Sequence, residues 1–314
     1  MRAITYRSYG GPEVLELTDL PKPVPAPGEV LIAVKAAGVN PADGKWRIGM
    51  FKDVVPVTLP QVPGYDVAGV VESAGVESAG VEAGGIEAGG GFAPGTRVVA
   101  VLDALRKGGY AEYACIGTGH VAAIPDSMSF ETAAAIPTPG LTGLQVVETF
   151  LDVQPGQRLL VTGAVGAVGS VAVYAARARG ATVIAAVRAD QAETARRAGA
   201  GEVAIIGEPW SGEAFDHVVD TLGGAEVAAL AGHLRPGGRL ATVATTPIPP
   251  EGLPAEPEFY GVMPDGAGLA RLVAAVAAGD LPITIGRVYP LAEAGRAQAA
   301  VDAGGTGGKV IIAP

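Results

Sequence analysis

The chain reads as an α/β protein with a doubly wound parallel-sheet domain joined to a smaller β-rich domain, and three observations predict this. Its 314 residues exceed the usual span of one compact core. Up to about residue 120, short apolar runs are separated by Pro and Gly turns; from about Leu159, apolar β-type runs alternate with amphipathic helical windows. Hydrophobic residues make up 49% and charged residues 17%, enough apolar material for buried cores and far from a disordered profile.

In the first part, strands are expected at Val30–Val34, Val67–Val71, Arg97–Val101 and Tyr110–Ile116. The stretch over residues 72–91 is filled by four tandem pentads that begin at Val71, Val76, Val81 and Ile86 and end at Gly90. A period of five matches neither a helix nor a strand, so this low-complexity link reads as an exposed, mobile loop. Leu159–Thr162 is the first strand of the second part, followed by a glycine turn and a helix that carries Val168, Val171, Ala172 and Ala175 on one face. Thr182–Val187 is the next strand, and Asp190 with Glu193 forms a capping-box pattern for a helix over Gln191–Ala198. Val203–Ile206, Phe215–Asp220 before Gly223-Gly224, and Arg239–Val243 after the turn Pro236-Gly237-Gly238 continue the alternation.

Composition narrows the function classes. A net charge of −10 with no basic run argues against a nucleic-acid partner. Leu159–Ala176 is uncharged over 18 residues, but Gly163, Gly166 and Gly169 break it, so no membrane span is expected. Cys115 is the sole cysteine and the Met1–Arg7 start lacks an apolar signal core, which together predict the cytoplasm. His120, His217 and His233 show no i, i+4 metal spacing and read as surface or loop residues; no metal is expected.

The most informative segment is Gly163-Ala-Val-Gly166-Ala167-Val168-Gly169 between a strand and a helix. Such a turn aims free helix N–H groups and a positive dipole end at a pyrophosphate, with glycine letting the ligand approach the backbone. The spacing is G-x-x-G-x-x-G, with Ala164 where the commoner fingerprint has glycine. Arg188 follows the second strand, 19 residues after Gly169, where Arg pairs with the 2′-phosphate of NADP. NADPH is thus the expected cofactor. Two other readings stand beside it: Arg188 as a solvated loop residue, and Asp190 as an acid for the ribose hydroxyl of NAD. Thr221, Ala244 and Thr245 follow later strands and are crevice candidates or ordinary loop residues.

Further segments carry a resemblance: Gly38-Val39-Asn40-Pro41-Ala42-Asp43 with Lys45, Arg47 and Gly49; Pro63-Gly64-Tyr65-Asp66-Val67-Ala68-Gly69; Gly108–Tyr113; Pro137–Thr142; and Gly308-Lys309-Val310. With the glycine turn, they make the chain resemble, over nearly its whole length, the zinc-less quinone oxidoreductase-like branch of the medium-chain dehydrogenase/reductase superfamily. The resemblance implies a GroES-like β-rich catalytic domain from residues 1–122 and 284–314, a Rossmann-type dinucleotide-binding domain from 123–283, and a homodimer. It adds Thr138, Thr142 and Lys309 to the cofactor-binding candidates, and the long pentad link departs from it. Zinc-binding relatives would carry Cys at Asn40 and His at Tyr65.

Without zinc, no Lewis acid polarises a simple ketone or alcohol, so the small-molecule substrate is expected to be a quinone, enone or related conjugated carbonyl. Asn40, Asp43, Lys45 and Tyr65 lie where the resembling enzymes meet the nicotinamide and are the catalytic candidates. Tyr65 is a hydroxyl donor at neutral pH. Asp43 as a loop tie, Lys45 as a solvated charge and Tyr65 as core filler are equally open. Trp46, Phe51, Phe259, Tyr260 and Met263 are cleft candidates or plain packing. Alternative functions on this scaffold are an enoyl or ketone reductase of a biosynthetic pathway, an NADPH-binding structural protein and a non-redox cyclase.

Overall fold

A computed structural model describes residues 1–55, 57–75, 91–103, 106 and 108–314. They divide into two compact units, Met1–Thr138 with Pro264–Pro314, and Pro139–Met263.

In chain order the first unit contains β1 (Arg2–Thr5), β2 (Glu16–Asp19), β3 (Glu29–Gly38), α1 (Pro41–Arg47), β4 (Asp66–Ala74), β5 (Arg97–Val101), β6 (Tyr113–Gly117), β7 (Val121–Ala123) and α2 (Phe130–Ala134). Helix α3 (Pro137–Gln145) contains the division between the units, at Thr138. The second unit then runs β8 (Arg158–Thr162), α4 (Ala167–Ala178), β9 (Thr182–Val187), α5 (Ala192–Arg197), β10 (Glu202–Ile205), β11 (Phe215–Asp220), α6 (Ala225–Ala231), β12 (Leu234–Thr242) and β13 (Pro257–Phe259). The chain returns to the first unit with α7 (Gly266–Ala278), β14 (Ile285–Pro290), α8 (Ala294–Ala303) and β15 (Lys309–Ala313).

The main sheet of the first unit has the order β14-β15-β3-β4-β5-β7, with β6 also paired to β3. Val30, Ile32 and Val34 alternate along β3, and Val67 and Val71 along β4; with Val98, Ala100, Val310 and Ile312 they build the buried core. Helix α7 belongs here because it packs on β7. Only glycine fits at its start: a Cβ on Gly266 would lie 2.7 Å from the Gly119 carbonyl oxygen.

The second unit is a parallel sheet in the order β10-β9-β8-β11-β12-β13. This is the doubly wound arrangement with its reversal at β8, where a crevice opens beyond the carboxyl ends of the strands. Leu160, Ile184, Phe215, Val218, Leu230 and Leu240 are among its core residues. The expected fold class, a parallel Rossmann-type sheet with a β-rich GroES-like partner, is the one observed.

Several local expectations need correction. Strand β4 continues to Ala74, so residues 72–74 are strand rather than loop. They follow β3, with Ala74 opposite Val30 and Ser73 opposite Leu31, and the Gly75 amide donates to the Glu29 carbonyl. The remaining pentads, residues 76–90, lie outside the described residues. Tyr110 precedes β6 because its amide donates to the Pro63 carbonyl and its carbonyl accepts from the Ile4 amide, while pairing with β3 begins at Tyr113. The Pro236-Gly237-Gly238 turn sits inside β12: Leu234 pairs with Phe215 and Arg239 with His217, so the extra residues bulge out at Gly237, whose φ is +83°. The Asp190–Glu193 capping box does not form. Asp190 turns back to Arg188, and α5 begins after a 3₁₀ turn over Ala189–Gln191 in which the Gln191 side chain accepts from the Arg188 amide. His217 lies within β11, half-buried, and its Nδ1 accepts from the Arg239 amide.

Candidate functional site

In the second unit, β8 ends at Thr162 and α4 starts at Ala167 with Gly166 as its N-cap. Gly163 turns the chain at φ +61°, a conformation that favours glycine. A Cβ on Gly163 would lie 2.4 Å from Thr221 Oγ1, and one on Gly169 would lie 2.2 Å from the Gly163 carbonyl oxygen. Gly169 therefore lets α4 start directly against the turn. Gly166 and Ala167 are exposed and Val168 half-buried, so the first turn of this 12-residue helix is open. Together these residues fit a pyrophosphate: a sharp turn without side chains leads into helix amides at the positive end of the dipole.

Arg188 is the residue after β9, at the same sheet edge. It is exposed, its Nε is 3.2 Å from Asp190 Oδ1, and its Nη2 is 3.4 Å from Asp190 Oδ2. The guanidinium and the acid that competed for the ribose in the sequence are thus each other's partner. An exposed pair of this kind is weak and opens at little cost.

A residue missed in the sequence organises the strand ends. Asp220 is fully buried at the end of β11; Thr162 Oγ1 donates to its Oδ1 at 2.7 Å and Thr242 Oγ1 to its Oδ2 at 2.8 Å. The Leu222 and Gly223 amides add bonds of 3.0 Å to Oδ1. One carboxylate therefore ties the carboxyl ends of β8, β11 and β12 together. Thr221 Oγ1 donates to the Thr162 carbonyl at 2.8 Å, and the Ala244 amide donates to Thr242 Oγ1 at 3.1 Å. Thr245 is half-buried beyond β12 and Thr142 is buried in α3. The signal available for Asp220 was an acid closing an apolar run just before Gly223-Gly224.

In the first unit a second carboxylate, Asp66, gathers three of the candidates. Asp66 is fully buried at the start of β4. Its Oδ2 accepts from Asn40 Nδ2 at 2.9 Å and lies 3.5 Å from Lys309 Nζ, and its Oδ1 accepts from the Thr138 amide at 3.0 Å and the Thr138 hydroxyl at 2.5 Å. Lys309 Nζ also donates to Asn40 Oδ1. Asn40 is the N-cap of α1 and Pro41 its first residue, where a missing N–H costs nothing.

Asp43 joins this group through the backbone: its Oδ2 accepts from the Asn40 amide at 2.8 Å and from the Tyr110 hydroxyl at 2.9 Å. Its Oδ1 is buried without a hydrogen-bond partner among the described residues. Burial pushes its carboxyl up to about 7, against the pull of the Asn40 amide and the Tyr110 hydroxyl. Burial likewise lifts the Tyr65 hydroxyl far above the usual tyrosine value, with Asp43 and Tyr6 adding to it. Lys309 is pulled down by burial, opposed by Asp66 and Asp43.

Lys45 does not join them. Two residues beyond Asp43 it is about 200° around α1, and burial lowers its ammonium while Asp302 of α8 raises it. Trp46 packs on Phe51, with ring centroids 4.9 Å apart. In the second unit Tyr260 packs on Phe150 at 5.0 Å and its hydroxyl donates to Gln145 Oε1, while Phe259 and Met263 are exposed. Among the described residues no group of three His, Cys, Asp or Glu side chains can hold a metal. No helix among them is long and apolar enough to cross a membrane.

Residues 26–126 match the family described as alcohol dehydrogenase GroES-like domain, and residues 179–312 the one described as zinc-binding dehydrogenase. The chain is 31% identical to a chloroplast envelope quinone oxidoreductase homolog of Arabidopsis thaliana, over 100% of this chain and 98% of the relative. It is 36% identical to the quinone oxidoreductase of Homo sapiens over 53% of this chain, a match spanning 46% of that protein's length. The solved structure of an NAD-dependent alcohol dehydrogenase superposes with a TM-score of 0.83 at 32% identity, covering 100% of both chains. A mycobacterial protein solved in complex with NADPH superposes with a TM-score of 0.82 at 30% identity, again covering 100% of both. With a turn that fits a pyrophosphate and full-length relatives of this kind, the chain belongs to the medium-chain dehydrogenase/reductase superfamily, as a quinone-oxidoreductase-like member.

Proposed function

We propose that this chain is an NADPH-dependent, zinc-independent oxidoreductase that reduces quinones or other conjugated carbonyls by hydride transfer. The observation that carries the reading is the Gly163–Gly169 turn, whose glycines bring the open first turn of α4 to the end of β8. The cofactor, when bound, supplies the hydride. The protein's part is binding and charge. The α4 amides receive the pyrophosphate, with Gly163, Gly166, Ala167, Val168 and Gly169 forming the approach and Thr221, Ala244 and Thr245 bordering it. Arg188 exchanges Asp190 for the 2′-phosphate.

On the catalytic side, Asn40 presents its amide to the nicotinamide, and Asp43 holds the Asn40 backbone in place. Tyr65, which burial keeps protonated, donates to the oxygen that gains charge. Asn at position 40 and Tyr at position 65, with no three-ligand group among the described residues, support chemistry without zinc. We assign Lys309, Thr138 and Thr142 to cofactor binding and Lys45 to the approach to the site. The same reading carries a cytoplasmic location and a homodimer.

The deciding measurement is oxidation of NADPH and of NADH by metal-free protein with a panel of quinones, enones and simple ketones. Turnover with NADPH and conjugated acceptors is expected; preference for NADH would overturn the Arg188 assignment. Asp190, two residues from Arg188 and bonded to it, favours a second reading in which NADH is also accepted. Tight NADPH binding without turnover under any acceptor would leave a binding or non-redox role.

A further inference from the structure

Asp66 lies outside the cofactor and catalytic assignments above, yet it receives hydrogen bonds from residues far apart in the sequence. Its backbone already has sheet neighbours on both sides, Gly38 of β3 and Val101 of β5, so a charged side chain is not required to form β4. A carboxylate that is fully buried costs free energy unless it is paired and hydrogen-bonded. Here Asn40, Thr138 and Lys309 supply that compensation.

The two partners of the Asn40 side chain leave only one sense for its amide. A lysine ammonium can only donate and an ionised carboxylate can only accept. Oδ1 must therefore face Lys309 and Nδ2 must face Asp66. A flipped amide would set Nδ2 against an ammonium and Oδ1 against a carboxylate, two repulsions in place of two bonds. An amide offers two N–H groups and two oxygen lone pairs. Among the described residues one of each is used here, which leaves one N–H and one lone pair.

We propose that Asp66 is a positioning residue: with Lys309 it holds the Asn40 amide in one sense, so that its remaining N–H and lone pair face a ligand in a defined order. This rests on the reading that Asn40 meets the nicotinamide. Thr138 secures the opposite carboxylate oxygen, so that Asp66 cannot rotate away from Asn40. A purely structural Asp66 would stabilise the unit without acting through Asn40.

The test is a double-mutant cycle on kcat/KM with NADPH and a quinone, using Asn40→Ala, Asp66→Asn and the double variant. Asp66→Asn is expected to lower kcat/KM at least ~10-fold in the wild-type background and by less than ~2-fold in the Asn40→Ala background. Equal losses in both backgrounds, or no loss in either, would overturn the proposal. The second measurement needs neither turnover nor a folded variant at position 66: NMR of the wild-type Asn40 side-chain amide, identified by its disappearance in Asn40→Ala. One downfield proton protected from exchange is expected, from the bond to Asp66. Two equivalent, rapidly exchanging protons would overturn the proposal. If the wild type turns over no acceptor, the reductase reading fails, and this resonance still decides whether Asp66 holds Asn40.

Discussion

Asp43 has two donors on one carboxylate oxygen and none, among the described residues, on the other. Burial, with the Asp66 charge adding to it, raises its proton affinity in the folded state from the usual 3.8 to about 7, against the pull of those two donors. The sign of the linkage follows: the folded protein binds this proton more tightly than the unfolded chain. The stability it contributes is complete below pH 3.8 and is lost as the pH rises through about 7. Thermal unfolding of the wild type should show a fall in midpoint across that interval that is absent in Asp43→Asn, whose amide oxygen still accepts from Asn40 and Tyr110. At Arg188 the consequence concerns cofactor choice. Arg188→Glu should raise the KM for NADPH by ~10- to 100-fold, the worth of one or two charge-assisted hydrogen bonds. The KM for NADH should move by less than ~3-fold, and steady-state kinetics with both cofactors checks the split.

At the scale of an element, the first turn of α4 depends on one missing side chain. Gly169→Ala puts a Cβ within 2.2 Å of the Gly163 carbonyl, and backbone cannot yield as a flexible side chain would. The variant should lose ~1–3 kcal/mol in urea unfolding and at least ~10-fold in NADPH affinity by fluorescence titration. Asp220→Ala should cost about 3 kcal/mol, because two threonine hydroxyls and two amides lose a buried acceptor; denaturant midpoints measure it. Elements of this kind differ in how much of them local sequence reveals. β8, the glycine turn and α4 were legible because strand, turn and helix each depend on near neighbours: an apolar run, glycines and an i, i+3, i+4 face. β12 was not, since a Pro-Gly-Gly bulge inside a strand looks locally like a turn before one. Asp190 fits a capping box by spacing, but Arg188 two residues away outbids the helix amides for it. The roles of Asp66 and Tyr110 carry no local signal, and that of Asp220 only an acid closing an apolar run, because their partners come from strands and helices that only tertiary folding assembles.

Across the whole molecule, each unit has its own buried core, one around Ile32, Val67 and Ile312 and the other around Leu160, Val218 and Leu240. A fragment of residues 139–263 should therefore fold alone and melt in one cooperative transition by circular dichroism. The first unit has no such independence, because its sheet draws on both sides of that fragment. Strand β15 pairs with β3 on one edge and β14 on the other, Ile311 standing opposite Gly38. On the ribosome this makes the order of folding differ from the order of synthesis. The middle of the chain is complete and can close while the Ala37–Gly38 end of β3, beyond the stretch that pairs with β6, still presents an unpaired edge to the missing β15. Translation at ~5–20 residues per second keeps that edge waiting for tens of seconds. The newborn protein is thus most open to mispairing just before residues 309–313 arrive, and any factor that shields a β-edge would matter most in that interval.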